Sequence, residues 1–256
     1  MRRWHNGWLS VTVILVTSAV LILQQYVGMI PDLLGVAQQL LVFAVWLIPP
    51  LAMLLVWYGP GRIDLGHELG LAAEPVTGLG RATVAAAPFG LAAAIAAAPG
   101  FPAALGLAER ALLVAGLEGF LFRGFLFGQL YRRAGWGFVP AVTVGPLLLL
   151  LMNFLEGGPL RLDAFLLPLA VNAFLAWLWL EGDHNLWLSA GSHFWLHWGD
   201  GLLGSVAAPE LAWLVRLMEA GALVWAAALI WGHRRARGGC RLSRHHLLRN
   251  PGPASG

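Results

Sequence analysis

Lysine is absent from the 256 residues: all 16 basic side chains are arginine, so every permanent positive charge is a guanidinium. Cysteine is nearly absent too. Cys240 stands alone, which excludes an intrachain disulfide and any cysteine-rich metal site. Charge of either sign is scarce, at 11% of residues against roughly a quarter in soluble globular domains, and this excludes an ordinary soluble fold. No internal repeat is evident, which argues against a transporter assembled from duplicated halves. The high isoelectric point, about 9.7, does not indicate a nucleic-acid partner. Six arginines fall in the tail HRRARGGCRLSRHHLLRNPGPASG, directly after the last apolar run, and no recognition module accompanies them. Attraction to anionic lipid headgroups accounts for such a tail.

What is present in excess is apolar: 59% of residues are hydrophobic and the mean hydropathy is +0.72. With about 20 residues needed per crossing, the sequence predicts an all-α, polytopic transmembrane helical bundle. Spans are expected near residues 9–30, 36–58, 82–104, 107–131, 138–156, 164–181, 186–206 and 211–232, about eight helices in all. Residues 1–232 read as one transmembrane domain, with a core motif region at 105–205, and residues 233–256 as a basic tail without fixed structure. The N-terminal MRRWHNGWLSVTVILVTSAV has the look of a signal peptide, but no small-x-small cleavage site follows, so it is expected to stay as the first helix. Seven of the 13 tryptophans (Trp4, Trp8, Trp57, Trp136, Trp187, Trp213 and Trp231) lie near the ends of apolar runs, where indole rings anchor at headgroup level. An even number of spans puts both termini on one side. Arg2, Arg3, Arg62, Arg81, Arg132, Arg133 and the tail arginines then share a face, while the opposite loops offer Arg161, so both termini are expected to be cytoplasmic. The loop GPGRIDLGHELGLAAEPVTGLGR contains a short amphipathic piece expected at that surface.

Ionisable groups within hydrocarbon cost at least about 2.5 kcal/mol each on insertion scales, so those retained face the bundle interior and mark candidate sites. Glu118 and Arg123 lie in LEGFLFRGFLFGQL on the fourth span. SHFWLHWGD on the seventh span carries His193, His197 and Asp200, and with Ser189 these fall on one helical stripe. Asn153 lies near the end of the fifth span and needs a partner. Arg216 and Glu219, three apart on the eighth span, read as an internal ion pair, and Glu109 with Arg110 as interfacial. The i,i+4 spacing of His193 and His197 directs two imidazoles at one metal ion or one water.

These residues resemble the CPBP family of intramembrane endopeptidases, which includes the type II CAAX prenyl proteases and the bacterial abortive-infection and bacteriocin-processing proteins. The family's motifs are Glu-Glu-x3-Arg, Phe-x3-His and His-x3-Asn on separate transmembrane helices. Glu118-Gly119-Phe-Leu-Phe-Arg123-Gly124 is similar to the first, Leu149-x3-Asn153 occupies the place of the second, and His193-x3-His197 is similar to the third. Gly119 replaces the second glutamate, while Asn153 and His197 exchange the family's histidine and asparagine. The inventory of one glutamate, two histidines and one asparagine survives, which favours a rearranged working site over a decayed one. Gly119 leaves room for a neighbouring helix or a substrate backbone. Its loss of a carboxylate leaves Arg123 needing one from another helix, Asp200 first and Glu156 second.

The resemblance implies an endopeptidase of the bacterial inner (plasma) membrane that cleaves a membrane-associated protein or peptide. Glu118 is implied to activate a water held by His193, with His197 and Asn153 donating to the oxyanion. Alternatively, His193 and His197 bind Zn²⁺, which supplies the acidified water. No haem and no nucleotide is expected, because the paired histidines share a single helix and cannot ligate a haem from both sides. The competing reading is an inactive relative that binds a membrane partner, for example in immunity. Depth poses a geometric problem: at 1.5 Å per residue, Asn153 is about 24 Å along its span and His193 about 10 Å along its own. They meet if Pro140, Gly145 and Pro146 break the fifth span or if the seventh begins earlier.

Overall fold

The computed structural model describes residues 2–28, 36–98, 100–206, 212–236, 238–243 and 246–249. Apart from one isolated bridge between Trp136 and Arg249, the regular structure described is helical: α1 Arg2–Gly28, α2 Val36–Tyr58, α3 Leu65–Leu69, α4 Pro75–Ala97, α5 Phe101–Glu118, α6 Phe138–Leu155, α7 Asp163–Glu181, α8 Leu186–Val206 and α9 Ala212–Arg235. The chain is a polytopic helical membrane protein. Six helices among the described residues are long and apolar enough to cross a bilayer: α1, α2, α4, α5 with its continuation to Arg133, α6 and α9. Two of the eight expected spans lie outside these six. The α7 stretch Phe165–Glu181 is shorter, and α8, rich in polar residues, is not among the six.

Helix boundaries follow local signals. Pro75, behind an extended Glu74, opens α4 at the position where a missing N–H is harmless, so this helix covers 75–97 where the sequence predicted 82–104. Ala98 ends it in a left-handed conformation (φ 41°), its N–H returning to the Ala94 carbonyl. Beyond Glu118, residues 119–127 and 129–133 continue as π-helix, a form concentrated at functional sites. Residues 119–131 are all buried.

The helices form two compact units, a finer division than the single domain expected. The first contains residues 1–69, 120–173 and 243–256. Within it α1 packs on α2, and the Trp136 indole donates to Ser10 Oγ at 2.9 Å. Backbone from α3 presses onto the π-helix, for a Cβ on Gly124 would lie 2.9 Å from the Leu69 carbonyl oxygen. The α3 helix is the amphipathic piece read from the sequence, and a buried ion cluster fixes it: Glu68, 5% exposed, accepts from both Arg132 and Arg133. Burial would raise the Glu68 carboxyl, but the Arg133 hydrogen bond and the charge of Arg132 outweigh it and hold the group below its ordinary range. Tail residues thought to lack structure are engaged here, the Val139 N–H donating to the Leu247 carbonyl at 2.9 Å.

The second unit contains residues 70–119 and 174–242. Its main seam is α4 against α8, closed by small residues: a Cβ on Gly191 would stand 2.7 Å from the Ala82 Cβ. Phe89 and Ala93 of α4 meet Leu196, Leu202 and Leu203 of α8 and Val215 of α9 in the apolar core. At one end of the unit Glu181, 1% exposed, accepts the backbone N–H groups of Arg241 and Leu242, each at 3.0 Å. Arg234 bridges Glu181 and Asp183, and Arg241 also pairs with Asp183. A buried carboxylate without these donors would be strongly destabilising.

Candidate active site

The site assembles on α5 and α8 of the second unit. Asn185 caps α8, its side-chain oxygen accepting the Leu188 N–H at 3.2 Å. From that start the polar stripe read in the sequence finds a different neighbour at each level. Ser189 Oγ donates to the Leu175 carbonyl at 3.0 Å, His193 Nε2 faces Glu118 Oε2 at 3.8 Å, and Asp200 accepts from Arg216 at 3.1 Å. Arg216 also pairs with Glu219 at 2.8 Å, the internal pair expected.

Glu118 is the last α-helical residue before the π-helical turns. Its side chain is 32% exposed and that of His193 10%, so the carboxylate is reachable from outside while the imidazole is held within the packing. Their 3.8 Å separation is too long for a direct hydrogen bond and short enough for one water to contact both. His197, half-buried one turn further along, presents its ring edge to His193 with centroids 6.0 Å apart and planes at 61°. Gly119 permits this approach of the two helices: a Cβ there would lie 3.3 Å from the Ala190 Cβ on α8, tighter than most real side-chain contacts. The expectation that Gly119 admits a neighbouring helix is met by α8.

The structure thus sets His193 against both Glu118 and His197. Arg123 and Asn153 belong to the first unit. Arg123 is 3% exposed, within the π-helical stretch, where i→i+5 bonding replaces the α-helical register. Asn153 is exposed near the end of α6, with its carboxamide beside Gly158 and its carbonyl accepting the Gly158 N–H at 2.9 Å. Neither adjustment expected to reconcile its depth occurs: α6 runs as one helix through Pro146, and α8 starts at Leu186. Glu156, the second carboxylate considered for Arg123, is exposed after α6.

A catalytic zinc takes three protein ligands. Among the described residues no three His, Cys, Asp or Glu side chains gather as a metal site, and His193 Nε2 is directed at the Glu118 carboxylate. The donor set therefore falls short of a zinc centre. Sequence reasoning missed the two ion clusters outside this site. Glu68 was visible between leucines in IDLGHELGL, whereas nothing local connects Glu181 to a backbone 60 residues away.

Residues 99–199 match the model of a family described as type II CAAX prenyl endopeptidase Rce1-like, a segment that contains Glu118, Arg123, Asn153, His193 and His197. The resemblance read from the motifs is to this same group. The match covers less than half of the chain, and no curated protein and no solved structure matches it.

Proposed function

We propose that this membrane protein is an intramembrane endopeptidase that cleaves a membrane-associated protein or peptide with a water activated by Glu118. The observation that carries the reading is the approach of Glu118 Oε2 to His193 Nε2 across the α5–α8 seam, within the segment that resembles the endopeptidase family. A water contacting both groups is oriented by the imidazole and gives its proton to the carboxylate. The resulting hydroxide oxygen bonds to the carbonyl carbon of the scissile amide, and negative charge moves to the carbonyl oxygen. His197 is assigned as a hydrogen-bond donor to that oxyanion. On collapse the C–N bond breaks, and Glu118 returns its proton to the leaving amine. No metal enters these steps.

The resemblance and the arginine distribution support a bacterial inner membrane with both termini cytoplasmic. The test is reconstitution in proteoliposomes with a panel of single-span reporters. Wild type cuts at least one of them, and His193→Ala cuts none. Cleavage by His193→Ala at the wild-type rate defeats the assignment.

A further inference from the structure

A cavity lies between α4 and α9, with a volume of about 310 Å³. Its walls are Val84 and Ala85 on one side and Leu229 and Ile230 on the other, and Arg81 and His233 line it as well. Arg81 lies six residues, about 9 Å, inside the candidate span that opens at Pro75. A guanidinium at that depth is costly unless it meets an anion or reaches the headgroups.

The acidic groups described in this part of the unit have other partners. Glu74 accepts from the Thr77 hydroxyl at 2.6 Å, while Glu181 and Asp183 hold Arg234 and Arg241. Among the described residues none pairs with Arg81. The end of α9 independently marks the headgroup level. Trp231 is 54% exposed with the Arg235 guanidinium 5.7 Å from its ring centroid, an interfacial anchor flanking His233 on both sides in sequence.

We infer that this cleft binds one anionic phospholipid, with the phosphate held by Arg81 and His233 and an acyl chain lying between Val84 and Ile230. Charge complementarity selects the head, and the apolar walls select an amphiphile over a free anion. A zwitterionic lipid offers the same chain without net charge and is discriminated against. On the orientation read from the arginines, the cleft opens to the leaflet where anionic lipid attracts basic segments.

Native mass spectrometry of the full chain, released from neutral detergent micelles doped with phosphatidylglycerol or phosphatidylcholine of equal chain length, tests this directly. Wild type is expected to retain one phosphatidylglycerol in preference to phosphatidylcholine. Arg81→Gln should lower that preference roughly fivefold, as should Arg81→Met, while Arg81→Lys keeps most of it. Elution profile and thermal midpoint in phosphatidylcholine report whether each variant is folded, and if Arg81→Gln is not, the Arg81→Met arm decides. Equal retention of the two lipids by wild type overturns the inference, as does an undiminished preference in a folded neutral variant. Displacement of the lipid by millimolar inorganic phosphate also overturns it, because it identifies a phosphate site in place of a lipid cleft.

Discussion

Replacing Glu118 by glutamine keeps the size and shape of the side chain and removes its ability to take a proton. The carboxylate is a third exposed and stands 3.8 Å from His193 Nε2, so the amide fits without repacking and the fold should be unaffected. A positioned general base contributes about 10²- to 10⁴-fold, and that is the expected loss in cleavage rate. Aspartate provides the complementary perturbation: it keeps the base but withdraws it by one C–C bond, about 1.5 Å. A misplacement of this order costs about 10²-fold, so Glu118→Asp should be impaired yet measurably faster than Glu118→Gln. Both rates are read as single-turnover cleavage of the best reporter in proteoliposomes, with thermal midpoints as the control for folding. Retention of more than a tenth of wild-type activity by a folded Glu118→Gln protein refutes Glu118 as the base. Equal rates for the two variants refute the geometric account, because they remove any dependence on where the carboxylate stands.

Restoring the family's second glutamate should harm this chain, since a Cβ at Gly119 already presses to 3.3 Å on Ala190; Gly119→Glu is expected to lower stability by about 1–3 kcal/mol, seen as a reduced thermal midpoint, and Gly119→Ala by less. Glu68 has a depressed folded-state pKa, so its contribution is complete above the ordinary value of 4.5 and is lost as pH falls through the lower folded value. Thermal midpoints between pH 7 and pH 3 should show this acid limb in wild type and a smaller one in Glu68→Gln, and identical curves would contradict the ion cluster's role. Chelation with phenanthroline should leave cleavage unchanged within about twofold, because the described donors fall short of the three protein ligands of a catalytic zinc; loss of activity restored by added Zn²⁺ would replace the metal-free steps.

The groups that converge were legible because each is expensive in hydrocarbon. Glu118 on one span and the histidine stripe on another had to be accommodated, and the cheapest solution was to face them towards one another. The same property sets α8 apart from the six long apolar helices, since Ser189, His193, His197 and Asp200 reduce its hydropathy. The misplacement of α4 has a different origin. The alanine-rich run after Arg81 offers no apolar contrast from which to read a register, and the signal that does fix it, proline behind an extended Glu74, is a local backbone preference. The π-helical continuation of α5 was not legible at all. An α-helical wheel sets Glu118 about 140° from Arg123, and the i→i+5 bonding of residues 119–127 alters every such angle beyond Glu118 while leaving the sequence pattern untouched. The motif spacing therefore located the chemistry through the residues that carry it, and the angles derived from that spacing hold on α8, where the helix is regular, and lapse beyond Glu118, where the π-helix begins.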